Sequence, residues 1–323
     1  MSALRVGVLA YPGCFASEVF GVPDLLTMAT HTAGPDHAGY EVSIVSPRRR
    51  VAASGGAALD VSPLREFDVL VVPGFEFAPG LDVDAKLAAL APEVAVIRSH
   101  ATAGNAVVSI CVGAFLLAEA GLLNRRRATT AWLHADELAQ RCPNADIRPE
   151  RLVVTDTGVT TTAAFSAMYD FALELIREHN GAGVARTTAR VALINDARSS
   201  QAPYVDARLL PQPGNEFSRR VMRWLDQNLA APYDLATLSD AFNVSTRTML
   251  RRFADETGQS PLDYLQSSRV RRARHLLETT DRTVAGITTT VGYRDPGTFA
   301  ALFAKHTGQR PRDYRSSFQR SAN

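Results

Sequence analysis

Phe253-Ala-Asp-Glu-Thr-Gly-Gln-Ser-Pro-Leu-Asp-Tyr264 returns fifty residues later as Phe303-Ala-Lys-His-Thr-Gly-Gln-Arg-Pro-Arg-Asp-Tyr314. Phe, Ala, Thr, Gly, Gln, Pro, Asp and Tyr recur in register, so one supersecondary unit is used twice. Each copy reads as helix, short turn, helix. In the first, Asp234 caps a helix with apolar Leu235, Leu238, Ala241 and Phe242. Asn243 turns the chain, Val244 packs inward, and Ser245 or Thr246 caps a second helix running through Phe253. In the second, Thr283 precedes a helix over 284–291, Gly292 breaks it, and Asp295-Pro296 opens another through Phe303. Proline suits a first helical position because its missing N–H has no partner to lose there. Gly258 and Gly308 stop the second helices, since glycine takes positive φ freely. Between the units, Leu262, Leu265, Val270, Ala273, Leu276 and Leu277 recur at a helical period, which predicts a rod holding the units at a fixed separation. A helix-turn-helix lays its second helix in the major groove, and two on one face read successive grooves about 34 Å apart.

Composition is that of an ordinary globular protein, 46% apolar and 21% charged, and 323 residues suggest two domains. No apolar run approaches the ~20 residues of a membrane span. The opening residues lack the layout of a secretory signal. Three widely spaced cysteines form neither a zinc pattern nor a disulfide framework. A cytoplasmic location, no metal, no cofactor and no membrane partner are therefore expected. Charge is divided unevenly. Residues 215–323 carry 17 Lys and Arg against 11 Asp and Glu, whereas residues 1–214 carry 18 against 22. The positive excess lies in the part suspected of touching phosphate.

The N-terminal half alternates strands and helices, which predicts a parallel α/β sheet. Strands are expected at 4–9, 40–45, 68–74, 106–110, 151–154 and 160–162. Helices are expected at 17–30, 83–103 with an interruption near Pro92, 113–120, 166–180 and 184–197. Residues 198–214, with prolines and little periodicity, read as an interdomain linker. The expected domains are thus 1–197 and 215–323. The entry helix of the second domain runs 217–229, with Val221, Trp224 and Leu225 inward.

The paired C-terminal motifs resemble the DNA-binding domain of AraC/XylS transcription regulators over about 215–318. The resemblance implies an all-α domain with two helix-turn-helix units and double-stranded DNA as partner. It maps groove-entering positions of the first unit onto Arg247, Leu250 and Arg251, with Ser245, Thr246 and Thr248 nearer the backbone. Their i, i+3, i+4 spacing puts the first three on one face. An arginine binds guanine O6 and N7 in bidentate fashion, worth about 1–3 kcal/mol of discrimination; the alternative for one of the two is a phosphate grip that adds affinity without sequence preference, for which Arg252 is the better candidate. The second unit offers Pro296, Gly297, Ala300 and Ala301, with Thr298 nearby, and no long donor among them. Unequal specificity follows, strict in one half of the DNA site and tolerant in the other. Phe242, Phe253, Phe299, Phe303 and Tyr314 repeat at helical spacing and read as core rather than base-stacking residues.

Ser109-Ile-Cys111-Val-Gly113 reads as strand, sharp turn and helix start, exposing Cys111 at the carboxyl edge of the sheet, where α/β folds bind ligands. A thiol at a helix N-terminus has its thiolate stabilised by the dipole and free N–H groups. Pro73-Gly74, the run from Cys111 to Leu123 and Arg127-Ala-Thr-Thr130 resemble the ThiJ/PfpI family, within the class I glutamine-amidotransferase-like fold, over about 4–180. The fold class implied is α/β parallel-sheet, flavodoxin-like. In that family an acidic residue after the first strand hydrogen-bonds the elbow cysteine, and Glu18 matches it. Joined to an AraC-type domain, this is the arrangement of the GlxA-like regulators.

Two departures bear on mechanism. The histidine that commonly follows Ala-Thr-Thr in these relatives is Ala131 here, and alanine accepts no proton. The second glycine of Pro-Gly-Gly is Phe75. His134, a helical turn later with Trp132 intervening, reads as a surface or capping histidine, with a substitute base the alternative. The reading is therefore a ligand-sensing cleft rather than an enzyme, lined by Glu18, Gly74, Phe75, Cys111, Val112 and Trp132, with backbone N–H groups suited to an anionic or carbonyl oxygen. Cys14 facing the same cleft would permit redox sensing, with packing the plainer view; Cys142 has no role in this reading. The protein expected is a sequence-specific transcriptional regulator sensing a small metabolite, dimeric through its N-terminal domain by analogy. The alternative is a ThiJ/PfpI-type cysteine enzyme (amidase, hydratase or glyoxalase-like) with a DNA-binding tail.

Overall fold

Valine-rich runs such as Val69–Val72 suit strands covered on both faces. In the computed structural model, which describes residues 2–35, 37–196, 198–206, 209 and 215–319, they form the middle of a sheet. The strands are β1 (Leu4–Leu9), β2 (Tyr40–Val45), the hairpin pair β3 (Val51–Ala52) and β4 (Ala58–Leu59), β5 (Val69–Val72) and β6 (Ala106–Ser109). Then come β7 (Arg127–Ala128) and β8 (Asp146–Ile147), paired with each other, and β9 (Val153–Asp156) and β10 (Val159–Thr162). The six-stranded sheet has the order β2-β1-β5-β6-β10-β9, parallel except where β9 meets β10. The two-residue pairs were not legible in the sequence, being too short to show a period.

Helices cover this sheet: α1 (Ala16–Ala33), α2 (Val83–Ala89), α3 (Ala91–Thr102), α4 (Ala114–Glu119), α5 (Ala135–Arg141), α6 (Ala167–Asn180) and α7 (Ala182–Val191). The single helix expected over 83–103 is two, divided at Leu90. Pro92 sits in the first turn of α3, where it breaks no helical hydrogen bond.

The chain divides into two compact units, Met1–Gln201 and Ala202–Asn323. Within the expected linker, Ser200 and Gln201 bond Glu150 O in the first unit, and Pro203 O and Val205 O accept from Arg274 in the second. Its residues 207–208 and 210–214 lie outside the described residues, as does Ala197.

The second unit is all helical: α8 (Glu216–Gln227), α9 (Leu235–Ala241), α10 (Thr246–Thr257), α11 (Pro261–Thr279), α12 (Val284–Thr290), α13 (Pro296–Thr307) and α14 (Pro311–Phe318). The long α11 opens with a capping box between Ser260 and Asp263. Its Leu265 joins Val221, Leu225, Met249 and Phe253 in one core. From Val270 onward it joins Ile287, Phe299, Phe303 and Tyr314 in another. One rod therefore carries two cores. No described helix is long and apolar enough to cross a membrane.

Candidate ligand cleft and nucleic-acid interface

The elbow is built by close backbone contacts. Ile110 N–H bonds Val72 O (2.9 Å) and Cys111 N–H bonds Ala163 O (3.0 Å), while Cys111 itself adopts φ 54°. A non-glycine residue in this region is strained and persists only where its surroundings fix it. Here they do: Thr130 Oγ1 donates to Cys111 O at 2.8 Å, and Gly113 lets the turn approach β5. A Cβ on Gly113 would lie 2.6 Å from Val72 O and 2.7 Å from Pro73 O, inside contact distance. The turn at Cys111–Gly113 is 3-10, followed by the six-residue α4.

Glu18, on the first turns of α1, is 0% exposed. Its Oε2 accepts from Gly74 N–H at 2.5 Å, and its Oε1 is buried with no partner among the described residues. Burial pushes its pKa up to about 7, partly opposed by the Gly74 N–H. The Cys111 thiol is pushed up to about 12, by burial first and then by the Glu18 charge. Val112 and Phe165 N–H groups face the sulfur and favour thiolate, but are outweighed. The thiolate stabilisation expected from a helix N-terminus is thus corrected: α4 is short, and desolvation beside a carboxyl dominates.

Glu18, Gly74, Cys111 and Val112 are brought together, and Phe75 follows Gly74 into a buried bridge with Cys14. Phe75 stacks on Phe77, which packs on Phe115 and on the His134 ring, 4.1 Å away. Among the described residues the His134 ring makes no hydrogen bond, and burial lowers its pKa. It is a ring packed against Phe77. Trp132 is half-buried, and its N–H bonds Gln201 Oε1 (3.2 Å). Cys14 and Cys142 are buried, and burial raises both thiols.

Gln201 was missed by the sequence reading. Its Nε2 donates to Thr130 O (2.8 Å) and Pro149 O (2.6 Å), so with Trp132 it closes the loop carrying Ala131. Its partners are some fifty to seventy residues away, and no local pattern marks it.

In the second unit every expected cap forms. Asp234 accepts from Ala236 and Thr237 N–H, Ser245 from Thr248, Thr283 from Gly286 and Asp295 from Thr298. Asn243 (φ 53°) and Gly292 (φ 85°) make the turns, and a Cβ on Gly292 would lie 2.8 Å from Ala230 O. Gly258 and Gly308 are left-handed C-caps. Phe253, Phe299, Phe303 and Tyr314 are fully buried, and Phe242 packs at the edge of the first core.

On α10, Thr246, Arg247, Leu250 and Arg251 are exposed, and Thr248 is half-buried with its hydroxyl bonded to Ser245. Among the described residues neither Arg247 nor Arg251 has a hydrogen bond or ion pair. Arg252 is exposed and has partners of its own. Its guanidinium lies 4.1 Å from the Phe217 ring centroid and its Nε bonds Glu256 at 2.8 Å, so stacking and an i,i+4 pair hold it against the unit. On α13, Pro296, Gly297, Thr298 and Ala301 are exposed and Ala300 is half-buried. A further unanticipated residue is Arg269. Though buried, it donates to Leu229 O (2.8 Å) and Ala231 O (2.6 Å) and covers the Tyr293 ring, joining α8's end to the second unit's turn.

Two capped helix pairs on one rod, with unpaired arginines along the outward face of α10, make this a DNA-binding transcriptional regulator by class. The chain belongs to the DJ-1/PfpI family, which residues 5–178 match, and residues 238–317 match a helix-turn-helix domain. It is 37% identical over 145 residues to the uncharacterized protein in the cpoL 5′ region of Streptomyces lividans, covering 43% of this chain and 96% of that one. It is 28% identical over 224 residues to the HTH-type transcriptional regulator GlxA of Rhizobium meliloti, covering 67% of this chain and 66% of that regulator. A ThiJ/PfpI family protein from Pseudomonas syringae shares the fold, with a TM-score of 0.50 at 21% identity over 82% of this chain and 91% of that one.

Proposed function

We propose that this regulator binds a small uncharged, carbonyl-bearing effector beside Cys111 without turning it over, and that the response is read out as altered DNA binding. The observation that carries this is the elbow thiol. It is held neutral by burial and by Glu18, and the residue after Thr130 is an alanine. A neutral thiol that lacks the histidine found in relatives is a poor nucleophile. A ligand oxygen there would meet the Val112 and Phe165 N–H groups and the unpartnered Oε1 of Glu18, a donor when protonated. An anion would find a carboxyl for a neighbour, which disfavours charge.

On DNA, Arg247 and Arg251 supply base readout in one half-site, with Leu250 against thymine methyls and Ser245, Thr246 and Thr248 along the backbone. Pro296, Gly297, Thr298, Ala300 and Ala301 present small surfaces to the other half-site, where shape decides. Arg252, exposed and steadied by Phe217 and Glu256, supplies the phosphate contact. A homodimer through the N-terminal unit would present repeated half-sites. The test is binding-site selection with the full-length chain: a bipartite motif with most information in one half is expected. Enrichment of no sequence would overturn the reading, and robust substrate consumption by the intact chain would overturn the sensor half.

A further inference from the structure

The two helix-turn-helix units differ by one residue in their turns. The recognition-helix caps, Ser245 and Asp295, lie fifty residues apart, yet the first-helix caps, Asp234 and Thr283, lie forty-nine apart. The left-handed turn residues, Asn243 and Gly292, keep the spacing of forty-nine. Val244 and Tyr293 follow them, and both pack against their own cores. The second turn therefore holds one extra residue between its inward-packing position and its cap. That residue is Arg294.

Its surroundings leave it unengaged. The side chain is exposed and, among the described residues, has no hydrogen bond, ion pair or ring contact. The adjacent carboxylate, Asp295, is committed to Thr298, whose N–H and hydroxyl lie 2.6 and 2.7 Å from Oδ2. The turn is otherwise tightly fixed: Gly292 has no room for a Cβ against Ala230, and Tyr293 lies under the buried Arg269. The extra residue thus emerges at a defined point, one step before the helix. The helix it precedes is the one whose groove-facing positions, 296, 297, 300 and 301, carry no long donor; its exposed Lys305 lies in the last turn, at the far end of the helix.

We infer that Arg294 is the phosphate anchor of the second unit, a guanidinium that grips the DNA backbone beside the groove α13 enters. This rests on the regulator reading above. The position lies outside the helix, one residue before its N-cap Asp295, at the end of α13 that borders the groove wall, where a guanidinium meets sugar-phosphate rather than base edges. Arginine suits this because its planar fork matches two phosphate oxygens. The first unit needs no such insertion, having Arg247 and Arg251 on α10 itself.

The test uses the full-length chain and two duplexes, one from binding-site selection and one of random sequence, titrated by fluorescence anisotropy over a range of salt. For Arg294→Ala, affinity for both duplexes should fall by the same factor, and the slope of log K against log salt should become shallower by about 0.9. Arg294→Lys should restore most of the slope, and melting temperatures of both variants should match wild type. A wild-type slope in Arg294→Ala overturns the inference. So does weakening confined to the selected duplex, which would mean base reading. If wild type itself prefers neither duplex and shows no salt dependence, the regulator reading falls and this inference with it.

Discussion

The Glu18 carboxyl and the Cys111 side chain meet across Gly74: a methyl group there would lie 3.2 Å from Glu18 Oε2 and 3.2 Å from Cys111 Cβ. Two acids so placed in a dry setting each raise the cost of ionising the other. Only Glu18 then titrates near neutrality.

Glu18→Gln should stabilise the protein, and more so as pH rises. Burial lifts this carboxyl from 4.5 to about 7, so the folded chain binds the proton more tightly than the unfolded one. Its contribution is whole below about 4.5, declines between about 4.5 and 7, and is lost above that. Denaturant curves for wild type and variant should differ little near pH 4.5 and by up to about 3 kcal/mol at pH 8. A difference independent of pH would show that Glu18 titrates normally.

Cys111 should resist alkylation at neutral pH. A thiol pushed up to about 12 carries on the order of 10³ times less thiolate than an ordinary cysteine. Iodoacetamide labelling followed by mass spectrometry should be slow at pH 7.5 in the folded chain and fast after unfolding. Glu18→Gln should accelerate it, because one cause of the shift is the Glu18 charge. Rapid labelling of folded wild type would contradict the neutral thiol.

Arg251→Ala should cost about 1–3 kcal/mol of preference for a selected duplex over random DNA. Ala301→Ser, at the equivalent position of α13, should change it by less than about 0.5 kcal/mol. Competition binding measures both; equal losses would mean that the two units read DNA alike.

Arg269→Met should destabilise the second unit by about 2 kcal/mol or more. The variant keeps the volume but leaves Leu229 O and Ala231 O without their charged donor. Thermal melts of the full chain should show the loss, and Arg269→Lys should recover part of it. An unchanged melt would mean that water satisfies both carbonyls.

How much was legible depended on the reach of each interaction. The helix-turn-helix units were read closely because their signals are local: Asp234, Ser245, Thr283 and Asp295 cap the helices that immediately follow them. The parallel sheet was equally plain from strands such as Val69–Val72, and Glu18, Gly74 and Cys111 do meet. The state of the thiol was misjudged because the dipole argument is local, whereas burial depends on α1, β10 and the loops around the elbow. The stacking of Arg252 was not legible for the same reason, since its aromatic partner, Phe217, lies on another helix. Arg269 and Gln201 carried no motif at all; their bonds run to backbone carbonyls far along the chain.

The amide of Gln201 has a practical corollary for dissecting the protein. A fragment cut at residue 197, where helical periodicity fades, would lose three hydrogen bonds at the Thr130, Trp132 and Pro149 backbone. The segment next to Cys111 would then be untied, and an isolated N-terminal unit of that length would misreport the proposed effector site. Expression boundaries for ligand screening belong beyond Gln201, with the closing side chain retained.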